Sequence, residues 1–441
     1  MPWANAIRKG YDLTDFISLG LAPALTKTLQ RSGFNTPTPI QSQAIPLALE
    51  DHDIMGLAQT GTGKTLAFGL PLMDKLLRIH GKPESKSVRA LILAPTRELV
   101  NQIADSLRSF TQSTPIKVNT VVGGQSIGRQ IGMLNRGSDI LVATPGRLID
   151  LMERNAVRLE TVRFLVLDEA DQMLDLGFIH ALRKIAAKLG QPRQTMLFSA
   201  TMPKQMEEIS RAYLTDPKRV QVAASGKAAD KVTQSVHFLD KREKPAALRQ
   251  ILSADLDAST IVFARTKHGA EKLMKQLVKD GYNAASIHGN KSQSQRDRAI
   301  KAFKAGETNV LVATDVAARG IDIPDVAYVI NYELPDTPEN YVHRIGRTAR
   351  AGREGEAIAF CSSDEIGQLR QIEKVMKTAI PLADGSAPEP APTSSKPAGR
   401  GGPKRSGKPR HRGERKPRSE QQQRPPNRKP RRTRRKRAVA A

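Results

Sequence analysis

The sequence predicts an α/β protein with two tandem parallel-sheet domains and a basic C-terminal tail. Two observations predict the sheets. Short apolar runs rich in β-formers recur with helix-length amphipathic stretches between them, the alternation that builds βαβ units. Their apolar character is nearly continuous, as in strands buried on both faces. A third observation, a shift to Pro, Gly, Ser, Gln and Arg near the C-terminus, marks the tail.

In the first half the expected strands are Ala90–Ala94, Ile140–Ala143, Phe164–Leu167 and Thr195–Phe198. In the second half they are Thr260–Ala264, Ala284–His288, Asn309–Ala313, Ala327–Asn331 and Ala357–Cys361. Helices are expected over Leu66–Leu77, Glu98–Phe110 and Gly269–Asp280. Between the halves, Thr215–Lys231 contains Asp216-Pro217 and a small polar stretch, and reads as a linker. The expected organisation is an N-terminal extension (1–12), a first domain (13–224), a second domain (225–385) and a disordered tail (386–441).

Charge and cysteine content narrow the function. The 441 residues hold 70 Lys+Arg against 44 Asp+Glu, a net charge of +26. Residues 391–441 hold 19 of those cations and two acids, a net of +17 in that segment. With no aromatic residue it cannot bury enough surface to offset ordering entropy, and its charge predicts nucleic-acid binding. Cys361 is the single cysteine, which excludes an intrachain disulfide and fits a reducing compartment; a packed core thiol is expected there. No run of 18 apolar residues occurs, so no membrane helix is expected, and the N-terminal residues lack the apolar run of a signal peptide. His288 stands without partner ligands, so no zinc site is expected.

In open parallel sheets ligands bind at the carboxyl ends of strands, and the polar motifs fall there. Residues 58–65, AlaGlnThrGlyThrGlyLysThr, form a phosphate-binding loop. Gly61 and Gly63 allow tight backbone, the N–H groups from Thr60 to Thr65 face the anion, and Lys64 reaches β- and γ-phosphates. The Thr65 hydroxyl suits Mg²⁺. AspGluAlaAsp (168–171) follows the run Phe164–Leu167. Asp168 at the strand tip suits a Mg²⁺-associated role, and Glu169 suits activation of attacking water. In the second half Arg344, Arg347 and Arg350 recur every three residues, near one helical face. From there guanidinium groups reach a γ-phosphate as arginine fingers.

The ordered set of motifs resembles the DEAD-box RNA helicases over residues 11–375. It comprises GlyPheAsnThrProThrProIleGln (33–41), the phosphate loop, ProThrArgGluLeu (95–99), GlyGly (123–124), ThrProGlyArg (144–147), AspGluAlaAsp (168–171) and SerAlaThr (199–201). ValPheAlaArgThrLys (262–267), GlnSerGlnArg (293–296), AlaThrAspValAlaAlaArgGlyIleAsp (313–322) and the arginine motif follow. The compact core and basic tail look most like the bacterial RhlE-type subgroup. The resemblance implies two RecA-like domains that close on ATP and RNA and separate strands locally. It implies that Phe34 packs on adenine and Gln41 reads it, with Phe16 in the same motif, and that Asp322 contacts the ribose. An amide pairs with adenine N6 and N7, where guanine presents an acceptor. Ser199 and Thr201 then couple the nucleotide and RNA sites through Asp171 and His343. The RNA backbone lies along Arg97, Gly124, Thr144, Arg147, Thr266 and Thr314. Lys64, Asp168, Glu169, Arg347 and Arg350 are the expected catalytic set, with ATP and Mg²⁺ as cofactors. Ribosomal precursors or RNA-decay proteins are expected partners of a cytoplasmic monomer. Alanine occupies position 349 where most members have glycine, and an ordinary helical conformation is expected there. An RNA chaperone driven by the tail and a DNA-directed helicase are the competing readings.

Overall fold

A computed structural model describes residues 15–58, 61–202, 204–222, 232–315, 326–349 and 355–383. Two parallel sheets organise them. The first contains β1 (Ile54–Leu57), β2 (Val88–Leu93), β3 (Val118–Val121), β4 (Ser138–Ala143), β5 (Phe164–Leu167), β6 (Gln194–Ser199) and β7 (Lys218–Gln221), in the order β3-β4-β2-β5-β6-β1-β7. The second contains β8 (Val232–Phe238), β9 (Thr260–Phe263), β10 (Ala284–Ile287), β11 (Val310–Ala313), β12 (Tyr328–Asn331) and β13 (Gly355–Cys361), in the order β10-β11-β9-β12-β13-β8. Every strand pair is parallel.

The apolar runs become the central strands for the reason the sequence gives. β4, β5, β6, β9 and β11 are buried along their whole length, with helices on both faces. Each face of each sheet has its own core. Phe68 and Phe198 stack at 5.7 Å on one face of the first sheet. Leu148, Leu165 and Leu197 fill the other. Truncating a fully buried leucine there costs about 2–5 kcal/mol. Cys361 is buried in the second domain's core, and burial pushes its thiol up to about 12.

Three expectations are corrected. The segment read as linker contains β7, which pairs with β1 from Ile54–Lys218 to Leu57–Gln221. Only Val220 of its four residues is buried, so a polar edge strand lacks the apolar signature. The expected boundary near 225 and the tail lie outside the described residues. Arg344 is not on a finger-bearing face: the helix Pro338–Ile345 ends at Gly346, which breaks the three-residue spacing. Arg344 is 2 % exposed. It grips Asp315 at 2.6 and 2.8 Å, bonds Asn331 Oδ1 at 2.9 Å and lies over the Phe263 ring. Ala349 is not helical, having φ +56°. The turn is held there because Thr348 Oγ1 donates to the Val326 carbonyl, and for an L-residue this left-handed conformation costs about 1–2 kcal/mol.

Candidate nucleotide site and RNA groove

Apart from residues 33–41, which open the helix Pro39–Leu49, the first domain's motifs leave the carboxyl edge of one sheet. β1 feeds the phosphate loop, whose Ala58 N–H bonds the Ser199 carbonyl at 3.1 Å, tying the loop to the end of β6. Gly63 caps the helix Lys64–Leu77 with φ +90°. A Cβ there would sit 2.5 Å from Gln41 Nε2, so both conformation and space demand glycine. Gln41 is 3 % exposed. Its Nε2 donates to the Gly63 carbonyl at 3.0 Å, and its Oε1 accepts the Thr38 N–H at 2.9 Å. The amide therefore braces the loop and keeps one N–H and one lone pair for a base. Thr38 Oγ1 is buried beside Gly63 and belongs to the capping box of the helix Pro39–Leu49. Phe34 is 44 % exposed and packs on Phe110 at 6.0 Å. Phe16 instead lies in the core at 4 % exposure.

Lys64 is the electrostatic centre. Its Nζ lies 2.7 Å from Glu169 Oε1, 3.7 Å from Asp168 Oδ1 and 3.2 Å from the Ala58 carbonyl. Burial opposes its charge, but Glu169 and Asp168 outweigh that and hold its pKa above the ordinary value. Burial pushes Asp168 up to about 6; Lys64 opposes this and Glu169 adds to it. Glu169 adopts a left-handed conformation, φ 53°, at the start of the helix Ala170–Asp175. Its other oxygen accepts Gln172 Nε2 at 3.1 Å. Thr65 and Asp168 carry oxygen donors of the kind that would hold Mg²⁺.

Asp171, Ser199 and Thr201 are brought together. Asp171 Oδ2 accepts the Ala200 N–H at 3.1 Å, the Thr201 N–H at 2.9 Å and the Thr201 hydroxyl at 3.1 Å, while Ser199 Oγ donates to the Thr201 carbonyl at 2.7 Å. His343 lies on the helix Pro338–Ile345 and Arg347 just beyond it, 3 % exposed. Thr60, Asp322 and Arg350 lie outside the described residues, whereas Gly61, Thr62 and Thr65 stand in the described part of the loop.

Arg97, Thr144 and Arg147 line one groove of about 460 Å³ that also contains Arg296 of the second domain. Gly124, φ +76°, makes room for Arg97, since a Cβ would meet its guanidinium at 2.2 Å. Arg147 is aimed by the Gln125 carbonyl at 3.1 Å and Gln130 Oε1 at 3.0 Å. Thr266 caps the helix Lys267–Lys279 by accepting the Gly269 N–H at 3.0 Å, and Thr314 follows β11. Both therefore stand at the carboxyl edge of the second sheet.

One group was quoted in the motifs without a role. Glu98 accepts Gln293 Nε2 at 2.9 Å and pairs with Arg296 at 3.1 Å, and Arg97 reaches Gln293 Oε1 at 3.4 Å. The two domains are latched beside the groove. Gln293 and Arg296 are three apart on one helix, a spacing that places both on a shared face, but nothing in the sequence names their partner.

A phosphate loop and an acidic strand end on one parallel sheet, latched to a second such sheet, define a two-domain nucleoside triphosphatase. The family model described as DEAD/DEAH box helicase matches residues 38–209, and that of the helicase conserved C-terminal domain matches 243–352. The chain is 44% identical over 362 residues to the DEAD-box ATP-dependent RNA helicase CshA of Bacillus licheniformis, covering 82% of this chain and 73% of the relative. Against CshA of Bacillus subtilis it is 44% identical, covering 82% and 72%. Among solved structures it is similar to S. cerevisiae Dbp5 bound to RNA and ADP BeF3, with TM-score 0.75, 32% identity and coverage of 84% and 96%. It is also similar to Mss116 bound to ssRNA and UDP-BeF, with TM-score 0.75, 30% identity and coverage of 86% and 81%. The chain belongs to the DEAD-box family of ATP-dependent RNA helicases. Its two parallel-sheet domains are RecA-like. Relatives named CshA do not support the RhlE-type subgroup expected from the sequence. Among the described residues no helix is long and apolar enough to cross a membrane.

Proposed function

We propose the following division of labour within this ATP-dependent RNA helicase. Lys64 leaves its two carboxylates for the β- and γ-phosphates when ATP enters, which frees Glu169 to activate water. Thr65 and Asp168 hold Mg²⁺. Phe34 covers the adenine, and the spare donor and acceptor of Gln41 read it, with Phe16 behind them. Asp322 takes the ribose, while Arg347 and Arg350 stabilise charge on the γ-phosphate. RNA lies by its phosphates and 2′-hydroxyls along Arg97, Gly124, Thr144, Arg147, Thr266 and Thr314. Asp171, Ser199, Thr201 and His343 transmit nucleotide state to that groove. The observation that carries the reading is the Lys64–Glu169 contact at 2.7 Å, which pairs the phosphate ligand with the base. The cationic tail tethers RNA, and the chain acts as a cytoplasmic monomer on ribosomal precursors or with RNA-decay proteins.

The test is Glu169→Gln. ATP binding should survive, hydrolysis should fall about 10²–10⁴-fold as for a lost general base, and complexes with RNA and ATP should become long-lived. Hydrolysis within a few-fold of the parent would remove Glu169 from the chemistry.

A further inference from the structure

The opposite edge of the first sheet carries a pattern that the helicase motifs do not use. Five neighbouring strands, β3, β4, β2, β5 and β6, are each preceded by a cation within two residues: Lys117, Arg136, Lys86, Arg163 and Arg193. Backbone bonds fix this register. Ile140 N donates to the Lys117 carbonyl at 3.1 Å, Ser138 N to that of Ser87 at 3.0 Å, and Gln194 N to that of Arg163 at 2.9 Å. With strands about 4.8 Å apart, the row spans roughly 20 Å. It borders grooves of about 850, 530 and 610 Å³ around residues 79–87.

Two acids of this edge are committed to other arginines, and one, the exposed Glu160, has no ion pair among the described residues. Asp139 pairs with Arg89 at 2.8 Å and Glu84 with Arg158 at 3.2 Å. Lys117, Arg136 and Arg163 are exposed, and no ion pair of theirs, or of Lys86, occurs among the described residues. Complementing helix dipoles is the ordinary reason for cations here, because helices of an α/β fold end on this side. The second domain is the control. Its helices have the same polarity, yet Ser259, Asn283, Asn309 and Ala327 precede β9, β10, β11 and β12, and a cation falls within two residues only before the adjoining β13 and β8, as Arg353 and Lys231. A run of five neighbouring strands is therefore peculiar to the first domain.

We propose that this edge is a second RNA-backbone surface, which holds the segment of a long substrate that flanks the strand in the cleft. Arg193 is held by the Gly190 and Tyr213 carbonyls at 3.1 and 3.2 Å, and the other four cations, without ion pairs among the described residues, suit phosphates and carry no base sequence. The basic tail is excluded as occupant by its own charge. The six-residue β2 separates this edge from the motif edge by roughly 20 Å, so RNA confined to the cleft does not reach it. The inference extends the RNA-helicase assignment and leaves the ATP-site roles untouched.

The experiment compares the full chain with its Lys86→Gln, Lys117→Gln, Arg163→Gln triple variant on two RNAs. One is an oligonucleotide of about 10 nucleotides, the scale of a single groove; the other is several times longer. On the short RNA, affinity and RNA-stimulated ATPase should match the parent, which reports an intact motor. On the long RNA, three lost phosphate contacts should flatten log K against log salt by about 2 and weaken binding about 100-fold at about 0.1 M salt. Arginine at positions 86 and 117 should restore most of the loss. An unchanged salt slope on long RNA would overturn the proposal. So would an equal loss on the short RNA, or weakened binding of polyglutamate alone.

Discussion

Replacing Glu98 with alanine should uncouple ATP binding from RNA binding while leaving each domain folded. Glu98 and Arg296 are 6% and 14% exposed at the side chain, and Gln293 Nε2 adds a second bond to the same carboxylate oxygen at 2.9 Å. In a separated pair of domains all three groups return to water. The contact therefore contributes to the latched arrangement alone, and removing it shifts that equilibrium by its full value. A hydrogen bond to a charged group contributes about 1.5–3 kcal/mol. The factor by which an ATP analogue tightens RNA binding should therefore fall about 10- to 100-fold. Fluorescence anisotropy of labelled RNA, with and without a non-hydrolysable ATP analogue, measures that factor directly. Affinity for RNA without nucleotide should change little. Reversing the pair, Glu98→Arg with Arg296→Glu, should recover part of the coupling that Glu98→Arg alone abolishes. A coupling factor within two-fold of the parent, with both ligands still binding, would refute the reasoning.

Gln41→Ala should weaken ATP binding and erode discrimination against GTP, measured by competition of the two nucleotides. It should also lower thermal stability, because Gly63 and Thr38 lose their partner; equal use of ATP and GTP by the unmutated protein would contradict the base-reading role. Truncation after Ser386 should leave maximal ATPase at saturating RNA nearly unchanged. If about six tail charges contact phosphate, it should flatten the salt dependence of RNA binding by about 4; a lost maximal rate would show instead that the tail acts on the motor. In the second domain, hydrogen bonds from Lys291 and then His288 draw Glu271 down from 4.5 to about 2. A lowered carboxyl pKa stabilises the fold above pH 4.5, and that contribution is lost as pH falls towards 2. Glu271→Gln should flatten stability against pH in that window, by denaturant unfolding, and an unchanged slope would assign the acid sensitivity to other groups.

The chemistry of the nucleotide site was legible because its spacing is local. A phosphate loop needs its glycines, lysine and threonine within eight residues, and an acidic strand tip needs only the apolar run before it. Most central strands were legible for a related reason, since burial on both faces leaves continuous apolar runs; β1, interior between β6 and β7 but half-buried at alternate residues, was not among the expected strands. Edge strands such as β7 bury one residue in four and resemble linker by composition. The helical period suggested three equivalent arginines, but tertiary structure ended the helix at Ile345 and placed Asp315 and Asn331 around Arg344. Likewise Ala349 adopts positive φ beside Thr348, whose hydroxyl donates to the Val326 carbonyl, against alanine's own preference. The latch of Glu98 on Gln293 and Arg296 joins residues 195 and 198 positions apart, and the basic row exists only once five strands are placed in the order β3-β4-β2-β5-β6. Short-range spacing encodes which atoms meet a phosphate. Which distant side chains share a surface is set by strand order, which no local pattern specifies.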